Sequence, residues 1–186
     1  RDIFLFFTNL ATGIVIARVL GPTMMGLWVI LSLIPSFAEA FGRLKFDVAA
    51  VYFLGKRKSS IGEMIFILNF LALLTSIILV SLFIWQFDWF YMRLFHNSPV
   101  DMRLLTYFIL LIIPLQFIYL NYSYLHIYCE NVIVYNRMYI IDSLLSAVAG
   151  LLMLLILNWG ILGILLGKVL GLLVSLIYSG KKISKV

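Results

Sequence analysis

The chain has 186 residues, 64% of them hydrophobic and 12% charged, with a mean hydropathy of +1.11 and a formal net charge of +6. Soluble domains are about 45–50% apolar and about 25% charged, so this composition excludes an ordinary water-soluble fold. The single cysteine, Cys129, excludes an internal disulfide framework and a cysteine metal cluster.

Apolar spans fall at 3–20, 24–42, 61–87, 104–128, 140–158 and 160–179. An apolar run of about 20 residues crosses about 30 Å of hydrocarbon. Backbone groups in lipid must be satisfied internally, so each span is predicted as a helix. The alternating strands of a membrane barrel are absent. The predicted class is all-α, a polytopic membrane protein of six transmembrane helices.

The positive charge reads as orientation rather than nucleic-acid binding. Arg1, Arg43, Lys45, Lys56, Arg57, Lys58, Arg137, Lys181, Lys182 and Lys185 fall on one side, against Arg18, Arg93 and Arg103 on the other. That bias places both termini in the cytoplasm. The chain opens at Arg1 without a methionine and stops just after a span, so the expectation is a fragment of a longer protein.

The first span clusters Thr8, Asn9, Thr12 and Gly13 on one side, with Arg18 about opposite Asn9. Arg18 is either a snorkelling residue at the outer interface or an anion ligand. In the second span Ser32, Ser36, Glu39 and Arg43 share one face, with the helix-kinking Pro35 among them. A carboxylate in an apolar span normally faces a protein interior or a cavity. Glu39 is therefore either a cavity residue or the partner of Arg43.

The 43–60 segment places Phe46, Ala49, Ala50, Phe53 and Leu54 at helical spacing, then a basic turn at Lys56, Arg57 and Lys58. It reads as an interfacial helix with a topology signal, or as a helix packed on its neighbours. Asn69, Thr75 and Ser76 of the third span suit hydrogen bonds between helices. The outer loop 88–103, with Trp89, Phe90, Tyr91 and Phe95, joins Trp85 in an aromatic interface belt.

The fourth span carries a polar stripe of Gln116, Tyr119, Ser123, His126 and Glu130 beyond Pro114. His126 is either structural or a group that titrates near neutral pH. Ser143, Ser146, Ala147 and Gly150 form a small-residue face on the fifth span. Gly160, Gly163, Gly167 and Gly171 do the same on the sixth, after a tight turn at Asn158 and Trp159. Lys168 lies near the middle of the sixth span, too deep to snorkel. It needs a carboxylate, a cavity or an anionic ligand.

No phosphate-binding Gly-rich loop, His-Glu-x-x-His motif or plausible Ser-His-Asp set is present. The expectation is a non-enzymatic protein with no metal and no cofactor. The remaining chemistry is passage through polar stripes and kinked helices.

Arg18, Leu20, Gly21, Pro22, Gly26 and Trp28 form an R-x-L-G-P-x-x-x-G-x-W stretch. It resembles the segment after the first helix of bacterial polysaccharide-unit flippases, within the multidrug/oligosaccharidyl-lipid/polysaccharide exporter superfamily. Phe41-Gly42 and Ala49 to Tyr52 resemble the region after that family's second helix. Met25 and Lys45 stand where the family often has tyrosine and glycine.

The resemblance implies that residues 1–186 are the amino-terminal six-helix lobe of a two-lobe transporter, the carboxy-terminal lobe being absent. It implies alternating-access movement of isoprenoid-pyrophosphate-linked oligosaccharide across the bacterial cytoplasmic membrane. Partners would be the bilayer, the lipid-linked oligosaccharide, the missing lobe and polysaccharide-assembly enzymes. By position, Lys168, Arg43 and Arg18 would meet the pyrophosphate. Glu39, Gln116, Tyr119, Ser123 and His126 are further candidate substrate-binding residues. Two alternatives stay open: a multidrug exporter relying on carboxylates such as Glu39, and a non-transporting scaffold whose stripes are packing contacts.

Overall fold

The computed structural model describes residues 2–42, 61–95, 98 and 101–183. These form α1 (Asp2–Gly42), α2 (Ile61–Trp85), α3 (Phe87–Phe95), α4 (Arg103–Tyr128), α5 (Val132–Leu155) and α6 (Gly160–Ile183). No strand occurs among the described residues. Five of the helices are long and apolar enough to cross a membrane. The protein is an all-α, polytopic membrane protein. Arg43 and the expected interfacial helix and basic turn within 43–60 lie outside the described residues.

The 41 residues of α1 would measure about 60 Å if straight, twice the hydrocarbon thickness. The helix is broken at Gly21, at φ 75° and ψ 172°. Two local causes coincide there. Pro22 pushes the residue before it to an extended ψ, and glycine alone accepts positive φ at little steric cost. Pro22 then suits the first helical position of the second arm, where its missing N–H is no loss. Leu5 and Trp28 wall the same cavity, although a straight helix would hold them about 35 Å apart. The arms 2–20 and 22–42 therefore fold toward each other. Each is about 30 Å long and matches one of the first two expected spans.

The turn Gln86 separates α2 from α3, a short helix where a loop was expected. Aromatic packing explains it. Phe87 and Phe95 are buried, Phe83 stacks on Phe90 at 4.8 Å, and Phe87 stacks on Tyr107 at 4.7 Å. The expected aromatic belt is thus partly folded inward, leaving Trp85 and Trp89 exposed.

The core sits around α4, the most buried of the long helices, which packs against α1, α2, α5 and α6. Leu31, Met102, Leu110, Met138, Leu165 and Leu172 are fully buried at this centre. The outward faces carry side chains such as Phe37, Phe66, Leu111 and Ile177, more than half exposed. In lipid those side chains are solvated by hydrocarbon. The α5 helix begins at Val132 rather than 140, because the polar Asn136 and Arg137 continue it instead of interrupting it.

Candidate functional site

The α5–α6 hairpin builds the site. Its turn uses positive φ at Asn158 and Gly160. Beyond the turn, Gly163, Gly167 and Gly171 bring the two backbones into contact. A Cβ at Gly167 would strike Gly150 N and Cα, and one at Gly171 would strike Ser146 Oγ and the Asp142 carbonyl oxygen. Lys168 lies beside this seam. Its Nζ donates to Asp142 Oδ2 at 2.8 Å. Ser146 Oγ donates to Asp142 Oδ1 at 3.2 Å.

The pair lies in the wall of a polar cavity of about 300 Å³. Arm 2–20 contributes Asn9 and Thr12, the polar side of the first span. The Thr12 hydroxyl is engaged by the Thr8 carbonyl at 2.7 Å. The α5 helix adds Tyr139, Ser143 and Ser146, and arm 22–42 adds Trp28. Ser143 Oγ is buried at this wall without a hydrogen-bond partner among the described residues. The side chain of Lys168 is 39% exposed and that of Asp142 10%, so the ammonium stands forward of its counter-ion. The arrangement can hold a polar or anionic group at depth in an otherwise apolar chain.

Asp142 is the residue that sequence reasoning missed. It supplies a carboxylate, one of the three partners open to Lys168. The available signal was an acid within an apolar span, on the helix next to a span carrying a base.

The other candidates divide. Arg18 is exposed and is not among the cavity-lining residues. Glu39 Oε2 accepts a hydrogen bond from Gln116 Nε2 at 3.2 Å, joining the polar faces of the second and fourth expected spans. Ser36 does not join them. It is exposed and its hydroxyl donates back to the Ser32 carbonyl at 3.0 Å. The rest of the α4 stripe lines neither this cavity nor the apolar one. Tyr119 packs edge-on against Tyr139 with ring centroids 5.6 Å apart. Ser123 is fully buried and donates to the Leu120 carbonyl at 2.7 Å. His126 Nε2 lies 2.8 Å from Ser179 Oγ, with both residues buried. That side of α4 is a helix–helix seam.

A second cavity, about 410 Å³, lies between arm 22–42, α2, α3 and α4. Phe37, Phe41, Phe83, Phe90, Leu79 and Ile113 are among its walls, which are wholly apolar. No group of three or more potential metal ligands occurs among the described residues. No family model, curated protein or solved structure matches this sequence.

Proposed function

We propose that this chain is the amino-terminal lobe of a transporter that moves isoprenoid-pyrophosphate-linked oligosaccharide from the inner to the outer leaflet of the bacterial cytoplasmic membrane. One observation carries the reading: the Lys168–Asp142 ion pair at the wall of a polar cavity within an apolar chain. A charge at mid-depth costs about 2.5–3.5 kcal/mol to insert, so its retention favours a use. A cation forward of its counter-ion suits an anionic headgroup, which gains most where water is sparse. The R-x-L-G-P stretch around Gly21 supports the family resemblance. The basic residues support cytoplasmic termini. In this reading the missing lobe closes the pathway, polysaccharide-assembly enzymes supply the substrate, and the protein performs no covalent chemistry.

The test uses the full-length protein. Lys168→Ala should insert at normal level yet trap lipid-linked units on the cytoplasmic leaflet. The double variant Lys168→Ala/Asp142→Asn, which leaves no orphan carboxylate, should do the same. Normal surface polysaccharide with either variant at matched protein level would sink the reading.

A second reading, a multidrug exporter, draws on the Glu39–Gln116 contact beside the apolar cavity. A carboxylate near aromatic walls suits a cationic amphiphile. Glu39→Gln would then abolish resistance to cationic drugs and spare surface polysaccharide.

A further inference from the structure

We propose that the apolar cavity between arm 22–42, α2, α3 and α4 seats one acyl chain of an anionic phospholipid, whose phosphate is held by Arg93. The ligand is a resident lipid of the bilayer, so the proposal goes beyond the transport reading and does not rest on it.

The walls exclude most other occupants. Every residue lining this cavity of about 410 Å³ is isoleucine, leucine, alanine or phenylalanine. On arm 22–42, Phe37 stacks on Phe41 with ring centroids 6.4 Å apart. On the other elements, Phe83 of α2 stacks on Phe90 of α3 at 4.8 Å. No lining side chain donates or accepts a hydrogen bond, so a saccharide would bury its hydroxyls there unpaired. Water does not occupy so apolar a space, and left empty it deprives its lining of contact atoms. Leu33, Phe37, Phe41 and Leu94 line the cavity and are also exposed, Phe41 at 71%. The cavity therefore opens on the flank of the bundle, where a bilayer supplies hydrocarbon chains.

The headgroup end follows from α3. Phe83 lies in the last turn of α2, and Leu110 about two turns into α4, so the cavity sits at the end of the bundle that carries α3. Phe90 and Leu94 of α3 line it one turn apart. Arg93 lies beside Leu94 in the chain and is exposed. Its guanidinium carbon is 5.2 Å from the ring centroid of the exposed Trp89. Trp and Arg together mark the membrane–water boundary. Among the described residues no carboxylate pairs with Arg93. Arginine meets phosphate oxygens with two parallel N–H donors. A cation without a paired acid favours a headgroup of net negative charge and opposes a cationic amphiphile in the same seat. Arg103, a second base at this end, lies 5.3 Å from the Tyr91 ring centroid. Neither Arg103 nor Tyr91 lines the cavity, so Arg103 is the natural control.

The experiment strips the full-length protein of lipid in detergent and titrates it with dioleoyl phosphatidylglycerol, counting bound lipids by native mass spectrometry. Wild type should show one tight binding step, stronger for phosphatidylglycerol than for phosphatidylcholine. Arg93→Gln should weaken that step at least about tenfold, the loss expected for a charge-assisted hydrogen-bonded pair. Arg103→Gln should leave it unchanged. Ala38→Phe, which puts a ring into the cavity, should abolish it. Should that variant fail to insert, Ala38→Leu should weaken it. Equal losses in Arg93→Gln and Arg103→Gln would reduce the effect to general surface charge and overturn the site. A tight step that survives filling of the cavity overturns it too. So does glycerol phosphate binding as tightly as the whole lipid, which would leave the cavity without a role. Displacement of the lipid by farnesyl phosphate would make the cavity a substrate seat, and displacement by tetraphenylphosphonium a drug seat; either overturns a resident lipid.

Discussion

Gly167 of α6 meets Gly150 of α5 backbone to backbone: a Cβ built on Gly167 would collide with the Gly150 main chain. Gly167→Leu must spread the hairpin. It should lower stability by about 1–3 kcal/mol, as overpacking of tight sites does. Gly26→Ala is the comparison, because nothing lies within 4 Å of the added methyl there. Reversible unfolding in detergent should separate the two. Equal losses would mean that the close seam does not carry the hairpin's stability.

Gly21 sits at φ 75° and ψ 172°, a region open essentially to glycine alone. Gly21→Ala adds no clash with neighbours, since nothing lies within 4 Å. Its whole cost is conformational, about 1–3 kcal/mol. Gly13→Ala, also in open space but in the helical part of arm 2–20, should be neutral or better. Comparing their melting temperatures isolates the backbone effect.

The His126–Ser179 contact ties α4 to α6 in the core. A double-mutant cycle with His126→Ala and Ser179→Ala should give a coupling of about 0.6 kcal/mol, and no more than about 1.7, the range found for hydrogen bonds between membrane helices. Under the transport reading proposed above, Ser179→Ala alone should retain transport at matched protein level. Loss of transport without loss of stability would return His126 to the functional set.

Asp101 clips the start of α4. Its Oδ1 accepts from the Arg103 N–H at 3.0 Å and from the Tyr91 hydroxyl at 2.9 Å. These donors, the Arg103 amide foremost, hold its carboxyl below the usual carboxylate range. A carboxyl so lowered stabilises the fold above its unfolded pKa, and that gain fades as pH falls through the folded value. The clip should therefore be intact at neutral pH and open only below about pH 4. Hydrogen exchange at the Arg103 amide should be slow above that range, and fast throughout in Asp101→Ala, which leaves no side-chain acceptor.

Hydropathy was enough to place the spans. The fourth, expected at 104–128, is Arg103–Tyr128, and the third, expected at 61–87, is Ile61–Trp85. Long apolar runs have one backbone solution in lipid, so their existence is legible. The start of α5 was not, because Asn136 and Arg137 look like a loop when read singly. Nor was α3, since nine aromatic-rich residues fit an interfacial loop and a packed helix equally well. The need of Lys168 for a carboxylate, a cavity or an anionic ligand was legible from its depth alone. That its partner is Asp142 was not, because the small residues of α5 read as one packing face whose single acid has no distinctive spacing. The α4 stripe was legible as a polar face but not in its contacts. Polar side chains in regular array suggest a passage, yet Ser123 and His126 are satisfied by a carbonyl and a hydroxyl inside the seam.

The Asp142–Lys168 pair also bears on how the chain is made. The two residues are 26 positions apart, so the acid leaves the ribosome well before the base that neutralises it. During that interval α5 alone carries an uncompensated carboxylate into the translocon. That carboxylate adds about 2.5–3.5 kcal/mol to the cost of inserting α5 until α6 arrives with its counter-charge.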